Sequence, residues 1–179
     1  MKQTTAIKPS SAWREAKIEK DFGGNMITRI SKDWALIAAG TPSDYNAMTA
    51  SWGLIGYLWE KPVAVCFVRP QRFTRSFTDK SDHFTLVFFD KTIKTRVHKI
   101  FGNESGKDID KAAKAAVTPI VFDEGAIGFD EAIETIVCKK IYFDDFDPKN
   151  FLDPSIAKLY NGDYHRFYIG EIVKFYEKK

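Results

Sequence analysis

Asn46-Ala47-Met48-Thr49-Ala50-Ser51-Trp52-Gly53 reads as a strand of small and hydroxyl-bearing residues, opened by an asparagine and closed by Trp-Gly. A strand that serves only packing carries bulkier β-branched residues, so this one leaves room for something to approach its backbone. Two readings fit. A flat heterocycle can lie there, its polar edge met by backbone N–H groups and hydroxyls and its plane walled by Trp52. Close packing of strands at a barrel corner explains the same residues, and the segment alone does not choose.

Working outward, the flanks are β-rich. Trp34 to Gly40 is a short apolar run, and Thr41 to Asn46 has the composition of a loop, so the next strand is expected over Ala47 to Trp52. Val63 to Val68, bounded by Lys61-Pro62 and Arg69-Pro70, and Phe84 to Phe89 read as buried strands. Ile93, Val97 and Ile100/Phe101 recur at helical spacing with Gly102 as a stop, and the alanine-rich Asp108 to Ala116 predicts a second helix ended by Pro119. The last third returns to strand patterning, with Ala132 to Phe143 broken at Asp144 to Pro148 and a final strand from Arg166 to Tyr176. In that strand Phe167, Ile169, Val173 and Phe175 share one face. Between the two, Asp153-Pro154 caps a short helix reaching Tyr160. Residues 1–25 read as an arm or short helix whose Trp13 packs onto the body. Nothing divides the chain, so residues 1–179 are expected to form a single domain. Many strands with few short helices predict a mainly β fold, a β-barrel.

Composition narrows the function. With 44% hydrophobic and 15% aromatic residues the chain can bury a core without a disulfide or metal, and a net charge of +3 with mixed signs argues against nucleic acid as a partner. No apolar run is long enough to span a bilayer and the first twenty residues are polar, so no membrane is expected and the cytoplasm is the expected compartment. Cys66 and Cys138 sit in strand-like surroundings and read as buried thiols. With His83, His98 and His165 also dispersed, no metal site is expected.

Two further segments carry charge where an anion could use it. Arg69-Pro70-Gln71-Arg72-Phe73-Thr74 leaves a buried strand at a proline, placing two guanidinium groups and a hydroxyl within reach of a phosphate; exposed arginines on a plain turn fit as well. Gly102 to Lys111 is a glycine-bearing turn entering a helix, where amides with Ser105, Lys107 or Lys111 can meet an anion, or where the helix is simply capped. It lacks the GxxxxGK[ST] pattern of a Walker loop.

In order along the chain these pieces resemble the flavin reductase family, FMN-binding split-barrel proteins that include the flavoredoxins. The matching stretches are Asn46 to Gly53, Leu58 to Val63, Val68 to Thr74, Ser105-Gly106-Lys107-Asp108 with Lys111, Cys138 to Tyr142, Gly162-Asp163-Tyr164-His165 and Gly170-Glu171-Ile172. The resemblance implies a Greek-key split barrel that forms a homodimer and binds FMN. Asn46, Met48, Thr49, Ala50, Ser51 and Trp52 would line the ring and ribityl chain; Arg69, Arg72 and Thr74, with Ser105, Lys107 and Lys111, would reach the ribityl chain or phosphate. It implies NADH or NADPH as co-substrate for a flavin reductase that passes electrons to a small-molecule acceptor or redox partner protein. The alternative is a flavoredoxin-like electron carrier without NAD(P)H turnover of its own. His165 is the one histidine in a matching stretch, a candidate to orient a substrate or protonate a reduced ring, with a structural hydrogen bond as its other reading. Flavin chemistry asks little of side chains, so no other acid or base is assigned.

Overall fold

In a computed structural model, described over residues 3–179, the chain is built on one antiparallel sheet. Its strands are β1 (Trp13–Ala16), β2 (Ala35–Thr41), β3 (Asp44–Ala50), β4 (Gly53–Leu58), β5 (Lys61–Val68), β6 (His83–Phe89), β9 (Ala132–Asp145) and β10 (Arg166–Lys178), while β7 (Pro119–Val121) and β8 (Ile127–Phe129) make a separate hairpin. Hydrogen-bonded order runs β3-β2-β6-β9-β10-β5-β4, with β1 also on β10. The two ends of that order, β3 and β4, are successive in sequence and joined by only Ser51 and Trp52. Trans peptides limit the Ala50–Gly53 span to about 11 Å, so the sheet must curl until its edges meet, yet no ladder joins them. This is a split barrel, and Ser51-Trp52 bridges its seam.

Burial explains the residue choice along each strand. On β2, Ala35, Ile37 and Ala39 face the barrel interior with Cys66, Phe84, Ile136 and Tyr168. Leu36 and Ala38 face the opposite way, into a second core with Val97, Phe101, Ala115, Ile120 and Phe129. A strand covered on both faces reads as a continuous apolar run. Among the described residues six α-helices accompany the sheet: α1 (Ile18–Asp21), α2 (Met26–Thr28), α3 (Arg75–Lys80), α4 (Lys94–Asn103), α5 (Lys111–Ala115) and α6 (Pro154–Ala157). The second core lies between the sheet and α4, α5 and the β7–β8 hairpin. Cys66 and Cys138 are fully buried free thiols, and burial pushes both above the ordinary thiol range.

Several expectations change in detail. The loop expected over Thr41 to Asn46 shrinks to Pro42-Ser43, because Thr41 already pairs with Asp44. Gly40 allows this tight return: its φ is +128°, and a Cβ there would come within 2.4 Å of the Asp44 carbonyl oxygen. The strand expected to reach Trp52 ends at Ala50, and β4 follows with Leu54, Tyr57 and Leu58 exposed and Ile55 alone packed on the interior core, so no inward alternation announces it. In β10 the bulge at Val173 breaks the expected common face: Tyr168 and Ile172 point inward before it and Phe175 after it. α4 passes through Gly102 to Asn103, and α5 begins at Lys111, capped by Asp110, and ends at left-handed Ala116 before Pro119.

The arm is part of the sheet. Trp13–Ala16 pairs with Lys178–Phe175 of β10, Trp13 packs edge-on to Phe122 at 5.4 Å, and its indole N–H donates to Asp130 at 3.0 Å. Ahead of it, the Thr4 amide and hydroxyl donate to Asp110, both at 2.6 Å.

Candidate functional site

At the seam, Met48, Thr49, Ala50, Ser51 and Trp52 form one wall of a cleft of about 270 Å³, and Phe67, Arg69, Arg72 and His165 form the other. A second pocket of about 180 Å³ adjoins it through Arg72 and is lined by Asn46, Thr74, Ser105, Gly106 and Lys111. Together they make a bent groove whose first part is aromatic and open and whose second is small and cationic. Trp52 is 45% exposed at the mouth, its ring 5.1 Å from that of His165.

Local chemistry puts Arg72 at the bend. Pro70 has no N–H to continue the ladder after β5. The chain turns instead, with the Arg72 amide donating to the Arg69 carbonyl at 3.1 Å and the Arg75 amide to the Arg72 carbonyl at 2.9 Å. The Arg72 guanidinium then donates to the carbonyls of Gly102 at 2.7 Å and Phe101 at 3.0 Å, at the C-terminal end of α4 where a helix favours a cation. From the far wall comes Lys111, only 4% exposed, its ammonium donating to the Ala47 carbonyl and lying 5.2 Å above the Phe101 ring. Burial, and then the Arg72 charge, push Lys111 down to about 7; burial also lowers Arg72. Among the described residues neither cation is paired with a carboxylate, so two positive charges share a half-dry pocket with only carbonyl dipoles to offset them. An anion would supply the countercharge.

The remaining residues divide between the two parts. Asn46 and Thr74 are each 1% exposed, and the Asn46 amide donates to the Thr74 hydroxyl at 2.8 Å. A Cβ on Gly106 would come within 2.2 Å of Asn46 Oδ1, so any larger residue there would displace the buried Asn46 side chain. Three amides of this turn are used internally: those of Asp108 and Ile109 donate to the Ser105 carbonyl and that of Lys107 to Ser105 Oγ. Side chains and the amides of Ser105 and Gly106 carry the anion-facing polarity. Lys107 lies outside both pockets, its ammonium 5.3 Å from the Phe73 ring centroid. At the cleft's other end Arg69 is held by Asp163 at 2.7 Å and by the Leu159 carbonyl at 3.1 Å. His165 shares a 2.9 Å hydrogen bond with the Tyr160 hydroxyl through Nδ1; burial, then Arg69, push it down to about 4. Its ring is thus neutral near pH 7 and a hydrogen-bonding group, not a stored proton. Thr49 turns its hydroxyl to the His98 carbonyl at 2.9 Å. Phe67 was missed by the sequence reading, although an aromatic at the outward phase of a buried strand is the signal that could have found it.

The chain therefore has the fold of the FMN-binding split barrels. Solved structures that share it include the FMN-binding domain of a flavin reductases-like enzyme from Shewanella baltica, at 14% identity over 96% of this chain and 79% of that one, with a TM-score of 0.66. The flavoredoxin of Desulfovibrio vulgaris is 20% identical over 87% of this chain and 74% of that one, with a TM-score of 0.63. A Streptomyces globisporus NADH:FAD oxidoreductase, solved with NAD and FAD fragments, is 15% identical over 80% of this chain and 73% of that one, with a TM-score of 0.60. No family model and no curated protein matches the sequence.

Proposed function

We propose that the groove binds FMN and that the chain is a flavin reductase drawing on NADH or NADPH. The observation that carries the reading is the Arg72–Lys111 pair, offset only by carbonyl dipoles and placed where an aromatic cleft narrows into a phosphate-sized pocket. The donor set fits a phosphate monoester: a forked guanidinium, an ammonium and the Ser105 hydroxyl line or border one small volume. Thr49 to Trp52 carry side chains small enough, before the indole, for a flat ring to lie against the strand. Bound flavin would supply the redox chemistry, accepting two electrons and a proton as hydride from a nicotinamide. The chain's own residues hold and orient: Trp52 and Phe67 wall the ring, neutral His165 offers a hydrogen bond at the mouth, and Arg69 is kept in place by Asp163.

The reading includes a homodimer. Leu54 and Tyr142 share one face of the sheet, in line across β4, β5, β10 and β9 through Val65 and Ile169, the Trp59 ring lies 6.2 Å from that of Tyr142, and all three are at least 43% exposed. A contiguous apolar patch of this kind marks an interface, and a second copy is its proposed cover. Trp59 and Glu60 form a two-residue hairpin turn and both hold positive φ (52° and 58°), as such a turn requires. An absorption spectrum of the protein mixed with FMN, before and after NADH or NADPH, tests the function. Perturbed flavin bands that bleach on adding NADH or NADPH support it. Bound flavin that bleaches only with a reduced partner protein marks an electron carrier instead, and unperturbed bands refute both readings.

A further inference from the structure

A third cavity, of about 500 Å³, lies between α4 and the helical turn Arg29–Asp33, behind the flavin groove. It is lined by Lys32, Trp34, Lys94, His98 and Lys99, and it meets the groove's first part at Thr49 and its phosphate pocket at Asn103. We propose that this cavity is a second ligand site, for a planar aromatic ring that carries a phosphate. The inference stands apart from the flavin reading, because it uses neither Arg72 nor Lys111.

Trp34 provides the stacking surface. It is 40% exposed, its ring edge-on to His98 at 5.6 Å, and its indole N–H donates to the Ser31 carbonyl at 3.0 Å, which fixes the ring in place. Its backbone sits at φ 61°, ψ 167°, a setting that glycine takes freely and a tryptophan does not. A bulky aromatic held there at the wall of a cavity has a surface to offer, not a core to fill. The charge is one-sided as well. Asp33 is the one acid among the lining residues, and it is taken by Lys94 at 3.0 Å, leaving Lys32 and Lys99 without a carboxylate partner among the described residues. Inside, His98 is 4% exposed and walls the cavity from within the packing. Burial, then Lys94, push this ring down to about 4, with a hydrogen bond to the Asp33 backbone opposing, so the wall it presents is uncharged near pH 7. The volume falls in the range of roughly 300–1,000 Å³ typical of small-molecule sites.

Calorimetric titration with adenosine 5′-monophosphate tests the assignment, with adenosine and benzoate as comparison ligands. AMP is expected to saturate the protein, and Trp34→Ala to weaken it by about 5–150-fold, the worth of one base stacked on an aromatic. Trp34→Phe, which keeps a ring and guards against a folding defect, should restore most of that loss. Lys99→Glu should weaken AMP while leaving adenosine unchanged. Arg72→Ala should leave AMP affinity unchanged; loss of AMP binding there would place the ligand in the flavin phosphate pocket and overturn the proposal. So would failure of AMP to saturate the wild-type protein, equal affinity in Trp34→Ala, or benzoate binding more tightly than AMP. None of these readings depends on whether FMN binds.

Discussion

Arg72 and Arg75 lie three positions apart on the same turn, yet they enter opposite kinds of surroundings. Arg75 joins a self-neutralising network: it reaches Asp79 at 3.2 Å and Asp145 at 3.4 Å, and Arg166 meets the same two carboxylates at 3.2 and 2.6 Å. Those contacts lower both aspartates and raise Arg166, the signature of charges already satisfied by one another. Arg72 meets Lys111, carbonyl oxygens and no carboxylate, and both cations are lowered. A satisfied cluster holds a fold together. An unsatisfied one waits for a partner from outside, and its cost to the free protein is what a bound anion would offset.

Converting one arrangement into the other has the largest expected effect. Lys111→Glu would give Arg72 a carboxylate, as Arg75 has, and FMN affinity should fall more than about 100-fold by loss of one charge-assisted contact and gain of a repulsive one. Flavin fluorescence titration checks it, with circular dichroism to confirm the fold. Lys111→Met removes the charge without adding an opposite one: FMN affinity should fall by about 1.5–3 kcal/mol, while thermal stability of the ligand-free protein is unchanged or higher, loss of a buried cation offsetting loss of its bond to the Ala47 carbonyl.

Intermediate effects come from pH. Because Lys111 is lowered from 10.5 to about 7 in the folded chain, the unfolded chain binds more protons between those values. Stability of the ligand-free protein should therefore rise as pH increases through that window, the full penalty being present below about 7. FMN affinity should move the other way, declining above about pH 7 as the ammonium loses its proton, by up to tenfold per unit. Opposite slopes in thermal melts and flavin titrations, both flattened in Lys111→Met, are the expected pattern. The smallest effect belongs to the satisfied cluster: Asp79→Asn should leave FMN affinity unchanged and cost at most about 1 kcal/mol of stability by chemical denaturation, since these pairs are partly exposed.

The contrast between those two arginines was not legible in the sequence, where both are cations on a turn. The strands β2, β5, β6 and β9 could be read because apolar runs bounded by glycine, proline or charge mark segments buried on at least one face. β4 could not, since Leu54 and Tyr57 face outward and two glycines break its pattern. β1 was hidden because Arg14 and Glu15 gave the arm a charged, loop-like character, and one bulge at Val173 changed the face of β10. In the groove, ordered motifs supplied the residues, and tertiary packing decided their roles. It buried Lys111 beside Arg72 from 39 positions away, left Lys107 at the rim and gave Arg69 to Asp163.

Paired titrations of wild-type protein and Arg72→Ala with FMN and with riboflavin, which lacks the phosphate, test the central claim most directly. Wild type should prefer FMN, and Arg72→Ala should lose about 1.5–3 kcal/mol of FMN affinity with riboflavin affinity unchanged. Equal loss for both ligands, or no preference for FMN in the wild type, would contradict the assignment of the Arg72–Lys111 pocket to the phosphate.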